Sequence, residues 1–180
     1  MKQNSGNQLE ILIKADEIRK RVDQLVEEIT LDLAADELVV IGLLCGSFMF
    51  MADLSRSFHR HQVNLIIDFM AVSSYGSSTV SSGRVEFLRD ISVEVKNKNV
   101  LIVDDILDTG RTMDSVSKHL FKEEPAQMRS CVLLDKPARR EVPFQADYIG
   151  FEVSDQFVVG YGLDYNGRHR ELPYIAIIKS

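Results

Sequence analysis

Short apolar runs at residues 38–44, 100–103 and 131–134 leave almost no polar face, and further β-prone runs occupy 9–13, 63–72, 148–153 and 174–178. A run of that length is too short for a typical helix, and a strand that is apolar on both sides must be covered on both sides. Between the runs, Ile18, Val22, Leu25, Ile29 and Leu33 recur at three- and four-residue steps, which places one apolar stripe on a helix. Asp16 and Glu17 suit the positive end of that helix. Residues 48–58 form a second helical pattern, and Met113, Val116, Leu120 and Phe121 mark a third. The alternation predicts an α/β fold: an open parallel sheet with helices on both faces. Ligands bind such sheets beyond the carboxyl ends of the strands. Three of those ends carry unusual residues, Cys45-Gly46-Ser47, Asp104-Asp105 and Asp135-Lys136, which predicts a single cleft.

With 180 residues, 45% of them hydrophobic, one domain spanning 1–180 can bury a sufficient core without disulfides or a structural metal. Cys45 and Cys131 both lie in apolar surroundings and far apart in sequence, so free thiols are expected. A net charge of −6 disfavours broad capture of nucleic acid or of an anionic membrane. The first eight residues are polar, and no stretch approaches the ~20 apolar residues of a membrane span, so a soluble cytoplasmic protein is expected. Residues 73–83 depart from the rest, with nine of eleven positions Ser, Gly or Thr. On composition they are either a disordered hairpin tip or a lid over a substrate, and residues 84–95 are the returning strand and its turn.

The segment 100–112 carries the most chemistry: a buried strand, the acids Asp104 and Asp105, then Ile106, Leu107, Asp108, Thr109, Gly110, Arg111 and Thr112 leading into a helix. The amides of that helix start point outward unpaired, and with the Thr109 and Thr112 hydroxyls they can wrap a phosphate. Gly110 permits close backbone approach. Asp and Thr before a helix are also ordinary caps. Two acids just ahead of the turn make capping a poorer account, because carboxylates at a strand end are costly to desolvate unless a cation or hydroxyls meet them.

A hydrophobic strand, two acids and a D-T-G turn resemble the phosphoribosyl-pyrophosphate motif of the phosphoribosyltransferase family. The segments at 41–48, Ser73-Ser74-Tyr75-Gly76, 133–137 and 157–165 follow in order and spacing, and from about Leu9 onward the chain is similar to the bacterial hypoxanthine phosphoribosyltransferases. The resemblance implies an open, mostly parallel twisted sheet with a small hood from about 9–14 and 150–180 and a lid at about 73–88. It also implies a Mg2+-dependent transfer of phosphoribose from phosphoribosyl pyrophosphate to a 6-oxopurine, hypoxanthine and guanine, in a homodimer or homotetramer.

Residue by residue, Asp104 and Asp105 match the acids that hold the ribose and magnesium, and Asp108 the general base near purine N7 that also borders the ribose phosphate. Thr109, Gly110, Arg111 and Thr112 match the 5′-phosphate cradle. Lys136 matches the donor to purine O6, which fits an ammonium that has donors and no acceptor, although a lone Lys is commonly a solvated charge. Phe157 matches the aromatic that stacks on the base, although on its own it reads as core, and Val158 a backbone contact to the base edge. Asp164 matches a second magnesium contact beside the base, and Arg170 a pyrophosphate contact. Cys45, Gly46 and Ser47 match the pyrophosphate loop, where relatives commonly carry Lys or Arg in place of Cys45; the resemblance puts a cis peptide between Cys45 and Gly46. Ser74 and Tyr75 match the start of the lid. A regulatory protein that keeps the fold to sense the sugar phosphate is the alternative, and it should carry a basic face, which this sequence lacks. A transferase for adenine or a pyrimidine is disfavoured by Lys136 and Phe157.

Overall fold

The structure, a computed structural model, describes residues 8–33, 37–74 and 85–179. Its elements follow the predicted order: β1 (Gln8–Ile13), α1 (Ala15–Leu33), β2 (Glu37–Leu44), α2 (Phe48–Arg60), β3 (Asn64–Ser74), β4 (Val85–Arg89), β5 (Asn99–Leu107), α3 (Arg111–Phe121), β6 (Gln127–Asp135), β7 (Tyr148–Glu152), β8 (Val158–Val159) and β9 (Ile175–Lys179). Six strands form one sheet in the order β4-β3-β2-β5-β6-β7, parallel except for β4, which turns back antiparallel on β3. The alternation of side chains along a strand divides the core. Leu38, Val40, Leu101 and Val103 face α1 and α2, while Val39, Ile41, Val100 and Ile102 face α3. Both faces of the sheet are therefore covered, as its apolar strands require.

In α1 the predicted stripe is buried, and Glu17 does more than complement the dipole: its carboxylate accepts the Lys14 backbone N–H at 2.9 Å, which closes the first turn. Phe121, expected on the buried face of α3, is 69% exposed, because it is the last residue of the helix and lies past the Met113, Val116 and Leu120 stripe. A second sheet, β1-β9-β8, is antiparallel and joins the two ends of the chain, with Gln8 opposite Lys179. No described helix is long and apolar enough to cross a membrane.

The chain returns from β4 onto the large sheet through a buried carboxylate. Asp68, in the middle of β3, accepts the amides of Phe69, Ser92 and Val93 and the Ser92 hydroxyl, and pairs with Arg89 at 3.1 Å. Only residues 85–89 of the expected 84–95 return are strand; beyond Arg89 the backbone turns to Asp68 instead of to a neighbouring strand. Ser73 and Ser74 pair with Glu86 and Val85 at the end of this hairpin, whereas Tyr75 and the rest of the stretch to residue 84 lie outside the described residues.

Candidate active site

Chain order reverses direction across the sheet between β2 and β5: β3 was added on one side of β2 and β5 on the other. That switch point is where an open α/β sheet leaves a crevice. The two strands pair only as far as Gly42 opposite Val103, and then part. β5 continues to Leu107, so Asp104 and Asp105 lie within the strand and not after it, held in line by pairing with β6 on the other side.

Asp104 is 8% exposed, and its carboxylate accepts the Asp105 backbone N–H at 2.9 Å. Among the described residues neither acid is in an ion pair. Burial, with the neighbouring Asp105 charge added, holds the Asp104 carboxyl well above the ordinary carboxylate range. Burial also raises Asp105, against the lowering effect of hydrogen bonds and of the Arg170 charge. Two desolvated acids with no direct ion-pair partner, and only the Arg170 charge acting on Asp105, form a site made for something positive or rich in hydroxyls.

The loop after β2 covers Asp105. A Cβ on Gly46 would lie 1.7 Å from Asp105 Oδ2, so only glycine fits between them. From the other side, a Cβ on Gly162 would come within 2.0 Å of the Gly46 carbonyl oxygen. The cis peptide is Leu44–Cys45, one bond before the expected position, so the amide nitrogen it contains is that of Cys45 and not of Gly46. Cys45 is exposed. Ser47 is buried, and its hydroxyl donates back to the Leu43 carbonyl at 2.6 Å. Its side chain therefore braces the loop and is turned away from any ligand.

At the end of β5 the predicted turn is open on one side. Among the described residues the amides of Asp108, Thr109, Gly110 and Thr112 meet no acceptor, and that of Arg111 makes only a 3.4 Å contact to Thr109 Oγ1. Gly110 has φ of 85° and is itself the N-cap of α3, with no side chain capping the helix. The ordinary capping role for Asp108 and Thr109 is thus not what the fold uses. Asp108 Oδ1 instead sits 2.7 Å from Arg139 Nε, an ion-pair distance without the alignment of a hydrogen bond. Arg111 pairs outward with Glu141 at 2.6 Å.

Lys136 follows β6 and is buried, unlike a solvated lysine; its ammonium donates to the Gln156 carbonyl at 2.6 Å. That bond sets it one residue from Phe157, which is 56% exposed, a ring left uncovered where a core phenylalanine was the simpler expectation. Tyr165 supports the ring edge-on at a centroid distance of 5.6 Å. Val158 is buried at the start of β8. Asp164 and Arg170 are paired with each other at 2.6 Å; Asp164 also accepts the Gly167 amide, and Arg170 donates to the Gly162 carbonyl. The structure thus joins Asp104, Asp105, Gly46, Gly162 and Arg170 in one group, and Lys136 and Phe157 in a second beside β6.

Residues 9–166 match the phosphoribosyl transferase domain family. The chain belongs to the phosphoribosyltransferases. The hypoxanthine-guanine phosphoribosyltransferase of Aquifex aeolicus (strain VF5) is 44% identical over 180 residues, covering 99% of each chain. The hypoxanthine phosphoribosyltransferase of Escherichia coli (strain K12) is 46% identical over 169 residues, covering 93% of each. Among solved structures, a hypoxanthine-guanine phosphoribosyltransferase from Bacillus anthracis superposes with a TM-score of 0.87 at 41% identity, covering 94% of this chain and 98% of that one. The hypoxanthine phosphoribosyltransferase of Trypanosoma cruzi gives a TM-score of 0.90 at 38% identity, covering 99% and 95%.

This phosphoribosyltransferase also uses residues at its site that sequence reasoning passed over. Arg139, Arg140 and Glu141 contact the turn, yet a charged run after a strand looks like solvated loop. Gly162 is needed for the approach to Gly46, and the Gly160-Tyr161-Gly162 spacing was the only trace of it. Tyr165, aromatic and eight residues from Phe157, gave no periodic pattern.

Proposed function

We propose that this phosphoribosyltransferase transfers phosphoribose from phosphoribosyl pyrophosphate to N9 of hypoxanthine or guanine, giving the 5′-mononucleotide and pyrophosphate. The observation that carries the reading is the pair of desolvated acids without a direct ion-pair partner, buried Asp104 and partly exposed Asp105, two residues ahead of a turn whose amides are open. The open amides of residues 108–110 and 112, with the hydroxyls of Thr109 and Thr112, take the 5′-phosphate. The acids take the ribose hydroxyls, and their charge stabilises the cationic ribose that develops as the C1–oxygen bond to pyrophosphate breaks and the C1–N9 bond forms. Asp108 receives the purine proton released in that step, one of its oxygens being held by Arg139.

The Lys136 ammonium has three donors, so it can keep Gln156 and still donate to O6 of a 6-oxopurine. The exposed Phe157 ring is the stacking face for the base, braced by Tyr165, with Val158 offering its backbone to the base edge. Arg170 and the Cys45-Gly46-Ser47 loop hold the pyrophosphate. The thiol of Cys45 brings no charge to that loop, so binding there falls to the backbone and to Arg170.

The hard carboxylates of Asp104 and Asp105 would hold Mg2+, and Asp164, paired here with Arg170, would be a further contact, although among the described residues no three such side chains are grouped closely enough to hold a metal by themselves. Bound Mg2+ would neutralise charge on the pyrophosphate and on the acid pair. The β1-β9-β8 sheet serves as the hood over the base in a single domain; the lid expected to begin at Ser74 and Tyr75 falls mainly on residues 75–84, outside the described ones. The assembly is a cytoplasmic homodimer or homotetramer, which light scattering measures.

Purified protein incubated with hypoxanthine, phosphoribosyl pyrophosphate and MgCl2 should form inosine monophosphate, and guanine should form guanosine monophosphate. Absence of product above a no-enzyme control with both bases defeats the proposal.

A further inference from the structure

In a trans peptide the carbonyl of one residue and the N–H of the next point in opposite directions. A turn can therefore aim a row of amides at a ligand only if the preceding carbonyls are held on the opposite side. In this chain most of the holding is done by one short segment, with the Lys136 amide also donating to the Leu107 carbonyl at 2.9 Å. The Arg140 guanidinium donates to the carbonyls of Leu107, at 3.2 Å, and of Asp108, and to the Asp135 carboxylate at the end of β6. The amides of Glu141 and Val142 donate to the Thr109 carbonyl at 3.0 and 3.3 Å. Three consecutive carbonyls, those of residues 107, 108 and 109, are thus tied to residues 140–142, and the three amides that follow them, of Asp108, Thr109 and Gly110, are among those without an acceptor. Gly110 is packed down on the same segment, where a Cβ would lie 3.0 Å from both Arg140 Cδ and Val142 Cγ2.

We propose that Arg140 is a positioning residue for the transfer reaction: a strap that shapes the phosphate-binding turn without touching substrate. This rests on the assignment of that turn to the sugar phosphate in the proposed function. Arg140 and Asp135 are both largely buried, 17% and 10% exposed at their side chains, so the pair is shielded from solvent ions. The planar fork of arginine reaches acceptors on two strand ends and the turn at once, which the single ammonium of lysine cannot do. Neutralised by Asp135, the guanidinium acts through shape and not through its charge on the phosphate.

The test is a kinetic split. Arg140→Met keeps the aliphatic stem and removes every donor. It should raise KM for phosphoribosyl pyrophosphate at least tenfold while KM for hypoxanthine stays within about twofold, and Arg140→Lys should fall between Met and the parent. A general loss of fold would move both KM values or kcat alone. A folded Arg140→Met protein whose KM for phosphoribosyl pyrophosphate is within twofold of the parent overturns the proposal, as does a parallel rise for both substrates. If Arg140→Met does not fold, Arg140→Lys is titrated with ribose 5-phosphate by calorimetry: a several-fold weaker Kd supports the strap and an unchanged Kd removes it. A parent protein that forms no nucleotide but binds ribose 5-phosphate in an Arg140-dependent way would refute the reaction and leave the strap standing.

Discussion

Replacement of Gly46 by alanine probes the closest approach in the site. The added methyl would sit 1.7 Å from Asp105 Oδ2 and 2.5 Å from its carboxyl carbon, and real Cβ contacts essentially never fall below 3.0 Å. The contact must open by about 1.3 Å to rise from 1.7 Å to that 3.0 Å limit. The loop cannot retreat, because its other side meets Gly162, where a Cβ would already lie 2.0 Å from the Gly46 carbonyl oxygen. The Asp105 carboxyl is what moves. A misplacement on the order of 1 Å at a reacting centre costs about 10²-fold in rate, equivalent to ~2.7 kcal/mol of transition-state stabilisation. Steady-state formation of inosine monophosphate with phosphoribosyl pyrophosphate varied, alongside a thermal melt, measures this. Gly46→Ala activity within threefold of the parent at an unchanged melting temperature would show that Asp105 is not held where the chemistry occurs.

Lys136→Ala should lower kcat/KM for hypoxanthine by about 10- to 150-fold, the range for a hydrogen bond to a charged group; an equal loss with adenine would contradict its role at O6. Asp108→Asn should preserve folding and cut kcat by roughly 10²- to 10⁴-fold, and unchanged turnover would remove Asp108 as the base. Asp104→Asn should raise the melting temperature of metal-free protein at neutral pH while abolishing activity, since it relieves a buried charge; a lowered melting temperature would mean that the acid is compensated. For Asp68, burial alone would raise the carboxyl, but the amides of Ser92, Phe69 and Val93 and the Ser92 hydroxyl outweigh it and hold it below the ordinary range. A depressed carboxyl stabilises the fold above its unfolded value and loses that contribution as pH falls through the folded one. Asp68→Asn should therefore cost about 3 kcal/mol at pH 7, roughly 6–12 °C in Tm, and the gap to the parent should narrow below about pH 4. A gap as large at pH 3 as at pH 7 counts against this account.

The sheet was legible because its strands are buried on both faces and say so in unbroken apolar runs. What misled was polarity inside an element: Asp104 and Asp105 look like the end of a strand, yet β6 and the burial of the acids carry β5 on to Leu107. β8 is two residues long and gives no periodicity. The acid pair, the turn, Lys136 and Phe157 could be picked out by residue type and by family resemblance, but not their surroundings. Burial of Lys136 and exposure of Phe157 depend on where β6 and β8 deliver them, which local sequence does not encode. The charged run at 139–141 reads as solvent-facing until the fold lays it against the turn.

The antiparallel ladder that joins the two ends of the chain has a consequence far from either end. β8, which begins next to Phe157, hangs on β9 alone, and the other neighbour of β9 is β1. β1 therefore steadies, through two ladders, the ring proposed to stack on the base. Removing β1 should disturb the proposed purine face by that route, while the proposed sugar-phosphate turn on the six-stranded sheet is left alone.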